Sequence, residues 1–211
     1  LAAYSYEIGN PDLNDENGIG TEIFLYHKFN NLYVNFSLFR NDLNYFIFHR
    51  NTGLIDGSTL LMTYKATGAD ALFYGTEMQI EWEFINNFTF KTSASYTNGT
   101  LRDTGNPLPQ IPPLKGIVGI DFSNDILTIG INGEWAADQN RVDEFEEPTN
   151  GYFVLNAFSQ YAISHSDLIH TISLSIDNIL NTEYRNHLSR VKSILPEAGR
   201  NFRLTYKLYF H

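Results

Sequence analysis

The sequence contains no cysteine, and its basic residues are few. Without cysteine, a disulfide framework, a thiol nucleophile and a Cys-ligated metal are all excluded. The 14 Lys and Arg residues are outnumbered by 24 Asp and Glu, which gives a formal net charge of −10. Because phosphate groups are bound by basic surfaces, this balance argues against a nucleic acid as partner.

Long hydrophobic runs and a leader sequence are also missing. No run of about 18 apolar residues occurs, so the sequence predicts no transmembrane helix. No signal peptide is present, and the chain begins with Leu1 rather than Met. We therefore expect that these 211 residues were cut from a longer protein.

Sequence motifs of catalysis are missing as well. No Gly-x-Ser-x-Gly, His-Glu-x-x-His or glycine-rich phosphate-binding loop occurs. Ser164, His165 and Asp167 are near neighbours, but adjacent residues on a turn point in different directions and cannot form a proton relay. We predict that the chain is not an enzyme and requires no cofactor.

Aromatic residues and regular alternation are abundant. Phe, Tyr and Trp make up 15% of the chain, and apolar and polar residues alternate with the period of two that is typical of β-strands. In the last stretch Phe202, Leu204 and Tyr206 share one face, while Arg203 and Thr205 share the other. Nine strands are predicted, over residues 18–29, 32–49, 62–85, 88–103, 113–123, 126–142, 151–164, 168–180 and 199–210.

The hairpin of the third and fourth predicted strands has the clearest pattern. A turn centred on Asn86 places Glu81 directly across from Lys91, and opposite charges in such positions favour one register. The apolar face of the third strand consists of Met78, Ile80, Trp82 and Phe84.

Strand length and connection length favour a membrane barrel over a soluble β-sandwich, which would show the same alternation. Several predicted strands exceed about 12 residues, whereas soluble strands usually have about 5–6 and a tilted strand crosses a bilayer with about 9–11. Tight turns such as residues 30–31 alternate with long connections such as 181–198. We predict an all-β fold, an antiparallel transmembrane β-barrel, and the odd strand number suggests that its N-terminal part is missing. A soluble β-rich binding module is the alternative.

The segment SIDNILNTEYRNHLSRVKSILPEAGRNFRLTYKLYF, residues 175–210, resembles the C-terminal signature of TonB-dependent outer-membrane receptors. Three further stretches are similar to that family in order and spacing: GNPDLNDENGIGTEI (9–23), YGTEMQIEWEF (74–84) and PLPQIPPLKGIVGIDF (107–122). The signature positions that match are Asn178, Tyr184, Gly199, Arg200 and Phe210.

The resemblance implies a 22-stranded barrel with short periplasmic turns and long extracellular loops, of which residues 1–211 hold roughly the last nine strands. The plug domain and the TonB box of the family are absent from this chain. The implied location is the outer membrane of a Gram-negative bacterium, in contact with lipid and lipopolysaccharide. The implied partners are TonB, the plug, the remaining strands and a small-molecule or metal substrate. Such barrels end on an aromatic residue, so we expect that His211 begins an expression tag.

Active import of a scarce nutrient is the function that the resemblance implies, with a ferric-siderophore or another metal complex as the expected substrate. The stretches NRVDEFEEPTNGYFVLN (140–156) and YRNHLSRVKSILPEAGRN (184–201) are similar to the branch that takes up zinc and related metals, so free-metal uptake is the alternative. A passive porin-like channel or structural barrel domain is the alternative of another class. The positions shared with the zinc branch include Glu147, Thr149, Gly151, Tyr152, His187 and Pro196.

Four residues of the expected extracellular end are candidate ligands for the substrate or a metal: His49, Glu146, Glu147 and His187. Carboxylate oxygens suit hydrated cations, and imidazole nitrogens suit zinc. The alternative interpretation is a solvated acidic surface, bridged by divalent ions to lipopolysaccharide. Six further charged residues are predicted to line the lumen and to hydrogen-bond the plug: Glu77, Glu81, Glu83, Lys91, Arg203 and Lys207.

Overall fold

The computed structural model describes residues 5–165 and 167–210, which form one antiparallel sheet of nine long strands with one short strand added. Within these residues, no helix is long and apolar enough to cross a membrane. The strands are β1 (Tyr6–Ile8), β2 (Asn17–Phe29), β3 (Leu32–Ile55), β4 (Met62–Ile85), β5 (Phe88–Leu101), β6 (Lys115–Ser123), β7 (Leu127–Ala136), β8 (Tyr152–His165), β9 (Leu168–Asp177) and β10 (Asn201–Phe210).

Strands β2 to β10 form a meander, in which each strand pairs with its neighbours in sequence. The short strand β1 instead pairs parallel with the beginning of β4, with Tyr6 opposite Thr63. Strands β2 and β10 are the two edges, and the described strands leave the sheet open between them. Because successive connections lie at opposite ends of a meander, the long loops 56–61, 102–114, 137–151 and 178–200 all lie at one end.

The nine predicted strands are confirmed, but several of their ends are wrong. The strand predicted over 126–142 ends at Ala136, because the next backbone N–H, that of Ala137, bonds to the carbonyl of Leu114 in another loop. The strand predicted over 168–180 ends at Asp177, since Asn178 takes a left-handed φ of 53°. Strand β3 continues to Ile55, well beyond the predicted end at residue 49.

The tight turns at the opposite end are formed by asparagines. Asn30 and Asn87 have φ values of 45° and 70°, in the left-handed region that Asn tolerates better than most residues. The predicted turn at residues 164–167 includes Ser166, which lies outside the described residues, as does His211.

The predicted register of the third hairpin is confirmed, because Glu81 pairs with Lys91 across β4 and β5. The Lys91 ammonium forms its ion pair with Asp121 on β6, 2.7 Å away, rather than with Glu81. Gly119 is the residue of β6 directly opposite Lys91. Since glycine has no side chain, the lysine can extend over it towards Asp121.

The apolar face of the sheet has no second layer over it within the described residues. Met78 remains 37% exposed and Trp82 46% exposed. Near the tight turns, the rings of Phe84 and Phe122 flank Phe88 with centroids 6.3 and 5.0 Å away. This arrangement is typical of the aromatic girdle at a membrane interface.

Buried hydrophobic residues gather at the long-loop end of the sheet. Leu108 and Ile111 of loop 102–114 pack against Phe48 of β3, Ala71 of β4 and Leu101 at the end of β5. This cluster attaches loop 102–114 to the sheet.

Candidate binding site at the loop end

A cavity of about 170 Å³ lies among the long loops and the ends of β3 and β4. All four residues predicted as substrate or metal ligands line it, although they are distant in sequence. The lining includes His49, Asn51, Tyr64, Phe145, Glu146, Glu147, His187, Arg190 and Lys192.

His187 is almost completely buried, with 2% of its surface exposed. Its Nδ1 atom lies 3.0 Å from Thr149 Oγ1 and 3.3 Å from Lys192 Nζ. A lysine ammonium can only donate hydrogen bonds, so Nδ1 must accept and Nε2 must carry the proton. Nε2 lies 3.2 Å from Glu146 Oε1 but is not aligned for a hydrogen bond, so the proton and the carboxylate attract each other electrostatically.

Glu146 receives contacts from two other loops. Its Oε1 atom lies 3.0 Å from Lys192 Nζ, and its Oε2 atom accepts a 3.0 Å hydrogen bond from the backbone N–H of Gln110. Burial by itself would raise the pKa of this carboxyl. The contacts from His187, Gln110 and Lys192 outweigh burial and lower the pKa of Glu146 to about 2.

Loop 137–151 is also attached to the end of β3. Asp143, which is 4% exposed, forms a 3.2 Å ion pair with Arg50. The amide of Asn51 donates to the carbonyl of Phe145, and the Phe145 ring lies over Gly53, where a Cβ atom would come within 2.8 Å of it. These contacts place Phe145 on the wall of the cavity.

The predicted residues His49 and Glu147 are exposed. His49 lies close to Glu7 of β1, whose carboxylate accepts a 2.6 Å hydrogen bond from Arg190. The Arg190 guanidinium lowers the pKa of Glu7, and His49 adds a smaller effect in the same direction. Among the described residues, no three His, Asp and Glu side chains form a cluster that could hold a metal ion.

Sequence reasoning missed Glu7, Tyr64, Arg190 and Lys192. Arg190 and Lys192 lie three and five positions after His187 in the stretch HLSRVK, and this nearness in sequence is the only signal that could have indicated them. Nothing in the sequence around Glu7 or Tyr64 distinguishes them. Tyr64 lines the cavity from β4, and Glu7, which pairs with it from β1, contacts the lining residue Arg190.

The residues predicted to face the lumen are distributed along the polar face of the sheet. Glu77 lines a second cavity of about 400 Å³. Glu83 accepts the backbone N–H of Asn87, which gives it a role in the adjacent turn. Arg203 lies 3.2 Å from Asp177 on β9, and Lys207 pairs with Thr171 further along β10. Their contact with a plug stays a prediction.

Residues of the C-terminal signature shape loop 178–200. The Tyr184 ring lies 4.5 Å from that of Tyr152, centroid to centroid. The backbone N–H of Arg200 donates to Asn181 Oδ1, and a Cβ atom at Gly199 would come within 2.8 Å of the same oxygen. Phe210, at the end of β10, is 76% exposed.

A single-layer antiparallel meander, apolar on one face and with long loops at one end, is the architecture of part of an outer-membrane type β-barrel. Comparison of the sequence with known families agrees with this class. Residues 1–179 match the family described as "TonB dependent receptor-like, beta-barrel". The chain belongs to this family, whose members are receptors and transporters of the Gram-negative outer membrane rather than enzymes.

One curated relative is the TonB-dependent heme receptor A of Haemophilus ducreyi, 28% identical over 154 residues. The match covers 64% of this chain and 20% of that protein. The chain therefore spans about a fifth of the length of this relative.

Two solved structures share the fold. The copper transporter OprC superimposes with a TM-score of 0.81 at 20% identity, over 96% of this chain and 33% of its own. The FrpB iron transporter from Neisseria meningitidis gives a TM-score of 0.71 at 17% identity, over 96% of this chain and 32% of its own.

Proposed function

We propose that this chain is part of the wall and of the extracellular binding surface of an outer-membrane TonB-dependent receptor that imports an organic metal complex, such as a ferric-siderophore. The observation that carries the proposal is the composition of the loop-end cavity. Of its three acidic residues, Asp143 and Glu146 are already paired with cations of the same chain, and Glu147 is exposed. Aromatic and hydrogen-bonding groups, including Phe145, Tyr64 and Asn51, remain on its lining.

These pairings argue against a free metal ion as substrate. A zinc ion at Glu146 would have to displace Lys192, and at His187 Nε2 it would have to displace the proton that faces Glu146. Displacing Lys192 would separate an ion pair whose two side chains are each only 11% exposed, which is unfavourable. An organic ligand needs no such displacement, because it can stack on aromatic rings and accept hydrogen bonds.

The rest of the receptor supplies what the proposal requires beyond this chain. Strands outside the described sheet pair with the edges β2 and β10, because open edges are not tolerated in lipid. A plug domain contacts the polar face, and TonB acts on that part of the receptor. The apolar face contacts the acyl chains of the outer membrane, and the loops contact lipopolysaccharide.

Ligand titration of the intact receptor in detergent tests the substrate. We expect a ferric-siderophore to bind and Phe145→Ala to weaken its binding by up to about tenfold, because a stacking surface is lost. Leu195→Ala, an exposed residue of the same loop end that does not line the cavity, is the control and should leave binding unchanged. Hemin and zinc chloride are titrated in parallel.

Two results would contradict the proposal. Stoichiometric zinc binding that weakens on His187→Ala and Glu147→Ala, without binding of either iron complex, would establish free-metal uptake instead. Uptake of the ferric complex at an unchanged rate in cells lacking TonB would indicate a passive channel.

A further inference from the structure

The Glu146 carboxylate contacts both of the other long loops at the cavity, 102–114 and 178–200. Glu146, in loop 137–151, accepts the backbone N–H of Gln110 in loop 102–114. The same side chain binds Lys192 and faces the protonated nitrogen of His187, both in loop 178–200. Its partners are 36, 41 and 46 positions away in sequence, so no local preference brings them together.

Each of the other side-chain hydrogen bonds between these loops joins only two of the three loops. Gln139 donates a 2.9 Å hydrogen bond to the carbonyl of Ile111 and so joins loops 137–151 and 102–114. Thr149 and His187 join loops 137–151 and 178–200. Across the residues that the structure describes, Glu146 is the only side chain whose hydrogen bonds reach both neighbouring loops.

The ion pair of Glu146 with Lys192 is expected to be strong because it is largely buried. Its side chain and that of Lys192 are each 11% exposed, so water screens their attraction much less than it screens a surface pair. The Glu7–Arg190 pair has a shorter distance, 2.6 Å, but its side chains are 44% and 51% exposed. Surface pairs of that kind contribute little to stability. We therefore expect the Glu146–Lys192 pair to be the stronger of the two, although its distance is longer.

We propose that Glu146 is a positioning residue that holds loops 102–114, 137–151 and 178–200 together as one preformed wall of the binding cavity. The Glu146 carboxylate binds groups of the other two loops and does not itself bind the ligand. The ligand therefore meets loops that are already ordered, which lowers the entropy cost of binding. This inference rests on the proposed function for its consequence, but the ordering of the loops is a property of the unliganded receptor.

Hydrogen exchange on the intact, ligand-free receptor in detergent tests the inference. Glu146→Ala should increase amide exchange in peptides from both loop 102–114 and loop 178–200 by roughly tenfold, because both lose a charged partner. Glu146→Gln keeps an oxygen acceptor for Gln110, so it should loosen mainly loop 178–200. The control Glu144→Ala changes an exposed acid two positions away and should alter neither loop.

A charge reversal separates the two contacts. In the double variant Glu146→Lys with Lys192→Glu, the ion pair between loops 137–151 and 178–200 is restored with opposite polarity. The Gln110 N–H then faces an ammonium group, which cannot accept a hydrogen bond. We expect exchange in loop 178–200 to return towards that of the wild type, while loop 102–114 stays fast.

Binding of the ferric-siderophore probe completes the test. It should weaken in Glu146→Ala and recover only in part in the double variant. Unchanged exchange in both loops of Glu146→Ala, or the same change in Glu144→Ala, would overturn the inference whatever the receptor binds. Loosened loops in a receptor that binds no iron complex even as wild type would instead refute the proposed function and leave the inference standing. Retained β-sheet circular dichroism confirms that each variant is folded.

Discussion

Single polar side chains hydrogen-bond several backbone groups at the loop end. Asn178 is 3% exposed and holds a left-handed backbone conformation with a φ of 53°. Its side-chain amide donates to the carbonyls of Thr182 and Ala198, and its Oδ1 atom accepts the N–H of Thr182. One residue therefore joins both ends of loop 178–200.

Replacing Asn178 should destabilise this loop. Asn178→Ala removes the hydrogen-bond partner of the Thr182 and Ala198 carbonyls and of the Thr182 N–H, and we expect the free energy of unfolding to fall by about 1–3 kcal/mol. Denaturant titration of the intact receptor measures it, with Asn140→Ala, an exposed loop amide, as the control. A loss as small as that of the control would show that water replaces the Asn178 contacts.

The charge of Glu146 makes the stability of the loop end depend on pH. Because its folded pKa of about 2 lies below the ordinary value of 4.5, the carboxylate stabilises the fold fully above pH 4.5. This contribution is lost as the pH falls from 4.5 towards 2. We expect the wild type to melt at a higher temperature than Glu146→Gln at pH 7, with the difference disappearing over that acidic range.

Thermal unfolding in detergent, followed by circular dichroism, measures this difference. Glu144→Gln should match the wild type at every pH, since that acid is exposed. A gap between wild type and Glu146→Gln that persists undiminished below pH 2.5 would mean that the charge is not its cause.

At the scale of elements, strand β3 contains a β-bulge that the alternation of its sequence does not predict. Between Leu43 and Phe46 the pairing with β4 shifts register, and Tyr45 takes a φ of 56°. Asp70 on β4 accepts the N–H of Tyr45, and the tyrosine ring lies directly over Gly68. The bulge therefore depends on a glycine in the partner strand.

A side chain at position 68 should disrupt this bulge. A Cβ atom there would overlap the ring of Tyr45, so Gly68→Val should destabilise the protein by about 1–3 kcal/mol. Gly57→Ala, at a position with open space around it, is the matched control. Denaturant unfolding compares the two, and equal stability of both variants would show that the Tyr45 ring can move aside at little cost.

The whole sheet has two faces of opposite chemistry, and its membrane assignment depends on what each contacts. Met78 and Glu77 are neighbours on β4 and, because successive strand residues alternate, they lie on opposite faces. The chain has no cysteine of its own, so a spin label can be attached at either position through a single introduced cysteine, provided that the rest of the receptor is also free of cysteine.

We expect a spin label at Met78→Cys to collide mainly with oxygen, which concentrates in lipid. A label at Glu77→Cys should collide mainly with a water-soluble nickel chelate. Electron paramagnetic resonance of the receptor in lipid vesicles measures both. Equal protection of the Met78 label from both reagents would mean that protein covers this face, and the membrane interpretation would then fail.

Local patterns in the sequence were sufficient for the strands. Alternation along 62–85 predicted β4 with both ends correct, and the positions of Glu81 and Lys91 predicted its register with β5. Alternation repeats every two residues, and the register joins two strands that are adjacent in sequence. Both features can therefore be read from short stretches of the sequence. The partner of Lys91 was not predictable in the same way, because Asp121 belongs to a strand beyond the next long loop.

The residue types of the site were also visible in the sequence, and His49, Glu146, Glu147 and His187 do line one cavity. Their roles were decided only by the tertiary structure, which places Lys192 against Glu146 and Thr149 against His187. The sequence by itself determined a two-faced sheet with long loops at one end, because period-two alternation is a local property. Which charges neutralise each other depends on how loops separated by tens of residues fold over the sheet, and no local pattern encodes that.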